Sequence, residues 1–246
     1  MHINKLYEYP SLERSTSEDG TRFYLDPNTN KPLPSVTTIL SHTADKSFLI
    51  EWQNRVGLKK AEEIRNEAAG LGTLLHTHME CHIQGIQRPG GNNLIRQLAS
   101  RMADTIIKEG LPKVDEVWGY EVPLYFPELY AGTTDLVGVH NGKPAIMDYK
   151  NTKKMKTTDM ITDYYCQCVA YALCHNLHYD TNIQQVAIFM VARNLDYKTF
   201  VIEGDEFNHY ANLWQNRIIQ YENNGGPTEI AVGSNIEKHV AVSGFA

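Results

Sequence analysis

The sequence has no long apolar run. No stretch approaches the roughly 20 consecutive apolar residues that a membrane-spanning helix requires. Residues 1–20 carry four acidic side chains and few hydrophobic ones, which does not match a secretory signal or a mitochondrial transit peptide. We therefore expect a cytoplasmic protein that does not engage a membrane.

Cysteine and positive charge are also scarce. Four cysteines in 246 residues are too few for a disulfide-stabilised fold, so reduced thiols are expected. The formal net charge of −6 disfavours nucleic-acid binding through a global positive field. Contact with DNA must therefore be local. One basic cluster, Lys150, Lys153, Lys154 and Lys156, lies within seven residues, although such clusters are more often solvated surface.

The chain has the composition of an ordinary globular protein, with 42% hydrophobic and 21% charged residues. Its patterning predicts helices, then three strands, a helix, two strands and a helix. We expect one compact α/β domain. The predicted regions are a helical N-terminal cap at 1–110, a core at 111–224 and an extended tail at 225–246. The first predicted helix is short and begins at residue 35. The other predicted helices cover 48–56, 58–83 with a break near Gly70 and Gly72, about 94–109, 159–177 and 207–222. The predicted strands cover 114–125, 132–140, 144–150, 185–193 and 199–202.

The clearest chemical pattern lies on two of these strands. Side chains alternate faces along a strand, so Asp148 and Lys150 point the same way. Asn141-Gly142 predicts a hairpin that brings the preceding strand, with Asp135, alongside. Two close carboxylates favour a divalent cation, and oxygen ligands suit Mg²⁺ or Mn²⁺ over zinc. Spacing alone leaves a surface salt bridge between an aspartate and Lys150 as the alternative.

Three motifs in this order resemble the PD-(D/E)xK nuclease signature in its RecB-like branch. They are Gly132-Thr-Thr-Asp135, Asp148-Tyr-Lys150 and the helical pair Gln167 and Tyr171. The resemblance implies a restriction-endonuclease-like core, which is a central mixed sheet flanked by helices. It also implies that Asp135, Asp148, Lys150, Gln167 and Tyr171 serve catalysis. Gln167 and Tyr171 share a helix face at four-residue spacing, and considered alone they would suit a surface glutamine beside a core tyrosine.

The segment Gly72 to Glu80 resembles the helix that places a histidine on the metal of RecB-like nucleases. The resemblance implies His76, Asp135, Asp148 and the backbone carbonyl of Tyr149 as metal ligands. A structural role for His76 is the alternative. Glu80 is a further candidate, either as a ligand or as a partner that orients His76.

Most of the chain resembles the mitochondrial genome maintenance exonuclease family and its phage relatives. The resemblance implies a Mg²⁺- or Mn²⁺-dependent exonuclease that prefers single-stranded DNA with free ends, under a helical cap at 35–110. The absence of a transit peptide favours a phage or bacterial member. Asn151 follows the motif lysine where relatives carry threonine or serine. The candidate DNA contacts are Ser35, Thr37, Arg55, Asn151, Thr152, Lys153, Lys154 and Lys156, with Trp52 or Tyr149 as candidate base-stacking residues. Trp52 also continues the apolar stripe of Phe48 and Leu49, which favours a core position.

Other assignments remain open. His78 and His82 lie four residues apart, but no cysteine or acid completes a zinc set on that face. An iron–sulfur cluster on Cys81, Cys166, Cys168 and Cys174 is disfavoured, because Cys166 and Cys168 point about 200° apart on one helix. The alternative functions are a structure-specific endonuclease of the same superfamily and a noncatalytic DNA-binding partner in recombination.

Overall fold

The computed structural model describes residues 2–17 and 21–226, so the predicted tail lies almost entirely outside the described residues. Nine strands and six α-helices are assigned in these ranges. The strands are β1 (His2–Ile3), β2 (Arg14–Thr16), β3 (Arg22–Leu25), β4 (Pro32–Pro34), β5 (Val114–Phe126), β6 (Tyr130–His140), β7 (Lys143–Thr152), β8 (Gln185–Ala192) and β9 (Tyr197–Glu203). The helices are α1 (Val36–Thr43), α2 (Ser47–Val56), α3 (Leu58–Gln84), α4 (Leu94–Glu109), α5 (Thr162–Tyr179) and α6 (Asp205–Asn223).

A mixed six-stranded sheet forms the centre, in the order β1-β5-β6-β7-β8-β9. Strands β5, β6 and β7 form an antiparallel meander, β7 pairs with β8 in parallel through the crossover helix α5, and β9 returns antiparallel. Helices α1, α5 and α6 bury one face of the sheet, and α3 and α4 bury the other. The predicted α/β class, with a central mixed sheet flanked by helices, is confirmed. No helix among the described residues is long and apolar enough to cross a bilayer.

The predicted break in α3 is wrong, because α3 runs unbroken through Gly70 and Gly72. A glycine in a helix interior costs only about 1 kcal/mol, and packing can offset it. The α3 side chains of Leu71, Leu75 and Met79 are buried against α4 and the sheet. A Cβ on Gly72 would lie 3.1 Å from the side chain of Asn151, so this glycine lets the helix pass close to the end of β7.

The first 34 residues contain strands that the periodicity did not predict. Strand β1 joins the central sheet in parallel with β5, pairing at Glu116 and Val117. Strands β2, β3 and β4 form a separate three-stranded sheet. Each has four residues or fewer, too few for a period-of-two pattern to show. The small sheet packs on β6 through Tyr24, Leu33 and Ala131.

The apolar stripe of α2 is not a core stripe. None of its residues is buried, and Phe48 is 75% exposed. Trp52 is half-buried, so the expectation of a core position for it is wrong. Spacing shows that a helix is amphipathic but does not show what covers its apolar face.

Strands β6 and β7 separate partway along their length. They pair from the Asn141-Gly142 turn to Leu136 and Met147. Beyond that point β6 continues beside β5, and β7 continues beside β8 as far as Thr152. We call this divergence the fork. It places the next two residues, Asp135 and Asp148, on either side of an opening in the sheet.

Candidate active site

Asp135 bridges the fork. Its Oδ2 accepts a hydrogen bond of 2.9 Å from the backbone N–H of Tyr149, where the strand ladder has ended. Burial raises the pKa of the carboxyl, but the His76 imidazole, the Lys150 ammonium and the Tyr149 N–H outweigh it, so the pKa lies below its usual value. Asp135 is therefore an ionised carboxylate held at the opening.

Asp148 and Lys150 form a buried ion pair beside it. Lys150 Nζ lies 2.5 Å from Asp148 Oδ2, and the lysine and aspartate side chains are 17% and 3% exposed, respectively. Burial raises the pKa of Asp148 to about 6, with Asp135 adding to the rise and Lys150 opposing it. Burial lowers the pKa of Lys150, yet the two aspartates outweigh it and hold the pKa above its usual value. Lys150 is therefore a cation.

His76 reaches the fork from α3, which packs on the face of the sheet opposite to α5. Its Nδ1 lies 3.3 Å from Asp135 Oδ1, and its Nε2 lies 3.0 Å from the backbone carbonyl oxygen of Tyr149. Burial lowers the pKa of the ring, but the Asp135 carboxylate outweighs it and raises the pKa to about 9. An acceptor at each nitrogen favours the protonated ring, and a cation bound here would displace a ring proton, because neutral imidazole is the form that binds a metal. These acceptors are also groups that a divalent cation binds.

Glu121 joins this group from β5, and the sequence pattern did not indicate it. His76, Glu121 and Asp135 each offer a ligand atom, and these atoms lie within 4.8 Å of one another. Burial, then the carboxylates of Asp135 and Glu80, raises the pKa of Glu121 to about 7. An imidazole nitrogen and carboxylate oxygens that crowd one point fit a divalent cation.

Glu80 lies outside this three-residue group. Its Oε1 accepts a hydrogen bond of 2.9 Å from Gln84, one turn further along α3. Helical spacing places Glu80 on the same face as His76, but Glu121 is the carboxylate that reaches Asp135. The signal that could have found Glu121 is register, because Tyr120 pairs with Leu136 and Val122 with Thr134, which leaves Glu121 opposite Asp135.

Glu121 has an unusual backbone conformation. Its φ is +47°, a left-handed value that residues with a side chain rarely adopt inside a strand. Such outliers cost about 1–3 kcal/mol and persist where the surroundings fix them. The conformation accompanies the placement of the Glu121 carboxylate beside His76 and Asp135.

We expect Glu121→Gln to weaken Mn²⁺ binding by about 10- to 100-fold, because it removes one anionic oxygen while keeping the shape of the side chain. Glu80→Gln is the matched control and should change the affinity by less than about threefold. Isothermal titration of each purified variant with Mn²⁺ measures both effects. Equal losses in the two variants would contradict the assignment of Glu121 as the ligand.

Gln167 and Tyr171 lie on α5 as the motif requires, four residues apart. Gln167 Nε2 is 3.5 Å from Tyr171 Oη, a distance at the limit of a hydrogen bond. The tyrosine is buried against β6, where a Cβ on Gly132 would come within 2.7 Å of its hydroxyl. Gly132 thus lets α5 approach the strand that carries Asp135.

Tyr164 links Lys150 to the basic run. Lys150 Nζ lies 5.0 Å from the centroid of the Tyr164 ring, and Lys156 Nζ lies 4.8 Å from the same centroid. Lys156 also donates a hydrogen bond of 3.0 Å to the Tyr164 hydroxyl. Lys153 and Lys154 are exposed. The four lysines therefore differ in their surroundings, from a buried site lysine to two solvated ones.

The remaining candidate DNA contacts differ in their exposure. Asn151 and Thr152 are partly buried at the end of β7, and Arg55 and Thr37 are exposed. Ser35 is 3% exposed, and its Oγ caps α1 by accepting from the backbone N–H of Thr38 at 3.0 Å. The Tyr149 ring is only 2% exposed and stacks on Phe189, so the expectation that it stacks on a base is wrong.

The chain has only distant structural similarity to the known proteins described here. No protein-family model matches the chain, and no curated protein matches it. The crystal structure of a "Putative exonuclease" from Eubacterium rectale aligns at 12% identity and a TM-score of 0.48, over 64% of this chain and 68% of that one. A Vibrio cholerae protein aligns at 13% identity and a TM-score of 0.22, over 84% and 68%.

The other candidate metal-binding residues have different surroundings. His78 is buried, and its Nδ1 lies 3.2 Å from Arg88 Nε, which donates to it. Cys166, Cys168 and Cys174 are buried in α5, and Cys81 is partly buried in α3. Burial holds the pKa of Cys168 well above its usual value, which disfavours the thiolate form.

Proposed function

We propose that the chain is a metal-dependent nuclease of the PD-(D/E)xK type that hydrolyses DNA phosphodiester bonds. The observation that carries the proposal is the convergence of Asp135, Asp148 and Lys150 at the fork. His76 and Glu121 complete the set from α3 and β5. One sheet opening thus combines carboxylates for a cation with an ammonium for the phosphate.

The proposed cofactor is Mg²⁺ or Mn²⁺, held by His76, Glu121, Asp135 and Asp148 with the Tyr149 carbonyl. Oxygen donors suit both ions, and the imidazole nitrogen favours Mn²⁺. Bound at such a site, the ion would polarise a phosphoryl oxygen and lower the pKa of a water molecule.

Lys150 acts as a fixed positive charge in this proposal. Because its pKa is held above the usual value, it does not accept a proton from water near neutral pH. The ammonium instead stabilises the negative charge that develops on the phosphate oxygens. Asp148 holds the ammonium in place through the 2.5 Å ion pair.

We further propose that the substrate is single-stranded DNA with a free end, and that the helices of residues 35–110 restrict entry to the site. Two exposed features support local binding of DNA. The acidic chain places exposed Lys153 and Lys154 directly after β7, and α2 carries exposed Arg55 with an uncovered apolar face.

The deciding experiment compares three substrates in the presence of Mg²⁺ or Mn²⁺: end-labelled linear single strands, the matching duplex, and a closed single-stranded circle. An exonuclease shortens the linear strand progressively and spares the circle. Cleavage of the circle would instead identify an endonuclease. Binding of all three without cleavage in either metal would overturn the nuclease proposal and favour a noncatalytic DNA-binding role.

The exposed lysines after β7 give a further expectation. Replacing Lys153 and Lys154 by alanine should weaken single-strand binding regardless of sequence, and should reduce the salt slope by about 0.7 for each phosphate that the variant no longer neutralises. Fluorescence anisotropy at several salt concentrations measures the slope. The matched control is Lys113→Ala with Lys143→Ala, which removes the same charge near the Asn141-Gly142 turn, at the opposite end of β7. Equal slopes in the two double variants would assign Lys153 and Lys154 to solvated surface.

A further inference from the structure

A cavity lies at the open edge of the sheet beside the candidate metal site. Its volume is about 290 Å³, and its walls include Lys5, Tyr7, Tyr9, Trp118, Tyr120 and Glu121. One wall is β5, and the other is the segment that follows β1. Strand β1 covers β5 only at Glu116 and Val117, so the cavity begins where this pairing ends.

The walls of the cavity are aromatic and firmly packed. Tyr7 contacts Trp118 at 5.6 Å and Tyr9 at 6.3 Å between ring centroids. The Tyr9 ring lies against the strand at Gly119, where an added Cβ would come within 2.6 Å of it. The Tyr9 hydroxyl is 3.2 Å from Nε2 of buried His175. These contacts hold the rings in place before any ligand arrives.

The cavity and the metal site share Glu121. This residue lines the cavity, and its carboxylate also lies within 4.8 Å of ligand atoms of His76 and Asp135. The cavity therefore borders the residue that faces His76 and Asp135. Lys5 is exposed at the cavity and carries a positive charge.

We propose that this cavity is a nucleobase-binding subsite, which takes one unpaired base of the strand whose phosphate lies at the fork. The proposal rests on the proposed nuclease function and deepens it. Aromatic side chains stack on any base, and exposed Lys5 offers a positive charge to the backbone of the strand. The volume lies at the lower limit of small-ligand sites, so it suits a single base and has no room for a base pair. The subsite gives a physical reason for preferring single strands.

The test measures binding in the Asp148→Asn background, where the oligonucleotide stays intact. A series of short oligothymidylates carries one abasic residue at each position in turn. We expect one position to lose about 5- to 100-fold in affinity, which corresponds to one base–aromatic stack. Tyr9→Leu should weaken the intact oligonucleotide by a similar factor and remove the position dependence, whereas Tyr9→Phe should retain both.

Lys5→Ala provides a second variant that does not disturb the aromatic packing, and it should weaken binding of every oligonucleotide about two- to tenfold. Thermal unfolding of each variant confirms that it folds. A flat abasic series with unchanged Tyr9→Leu affinity would overturn the subsite. Cleavage of DNA by the unmodified protein is measured separately, so the nuclease proposal can survive that result.

Discussion

Asp148→Asn should abolish DNA cleavage while preserving the fold. The substitution keeps the size of the side chain but removes a carboxylate that is 3% exposed and paired with Lys150. Both the proposed metal site and the placement of the ammonium depend on that negative charge. We expect the rate to fall by at least about 10³-fold, which is roughly 4 kcal/mol in the barrier.

The control for this variant is Asp159→Asn, which removes the same charge from an exposed position before α5. It should cleave at the rate of the unmodified protein. Time courses on end-labelled single strands, with circular dichroism to verify the fold, measure both variants. Activity of Asp148→Asn within about tenfold of the unmodified rate would remove Asp148 from the active site.

Lys150→Met should reduce turnover by about 10²- to 10³-fold, with a much smaller effect on the metal. Methionine keeps most of the apolar stem, which is buried among site residues, and deletes only the cationic end. The proposed role is stabilisation of charge on the phosphate, which develops after substrate and metal have bound.

Turnover at saturating DNA and Mn²⁺ affinity by calorimetry separate these two roles. The matched control is Lys156→Met, because Lys156 contacts the same Tyr164 ring from outside the ion pair. It should retain turnover within about threefold. If Lys150→Met loses metal affinity and keeps its turnover at saturating metal, the proposed role of Lys150 is wrong.

Local signals in the sequence predicted much of the core. The apolar spacing predicts helix α4 from about 94 to 109, and the helix spans Leu94–Glu109. The Asn141-Gly142 turn formed as predicted, with both residues at positive φ, and it set the register that aligns β6 with β7. Because hairpin register follows from turn type, the proximity of Asp135 and Asp148 was accessible from sequence alone.

The residues that the sequence did not reveal lacked a clear local signal. Glu121 lies opposite Asp135 across the hairpin of β5 and β6, whose turn at 127–129 has no Asn-Gly pair to predict its register. Glu80 shares a helix face with His76, which spacing shows, but the carboxylate nearest Asp135 comes from another strand. Strand β1 pairs with β5, more than a hundred residues away along the chain, so no local pattern marks it as a strand.

The left-handed backbone of Glu121 has a consequence for how this chain balances stability against activity. At a φ of +47°, glycine would relieve the strain that any larger residue bears. A chain with glycine at this position should therefore tolerate heating as well as or better than the natural one, and it would lack the carboxylate beside His76 and Asp135. Selection for thermostability alone would favour loss of Glu121, whereas selection for catalysis would retain it. Directed evolution should therefore give different residues at position 121 under selection for thermostability and under selection for catalysis.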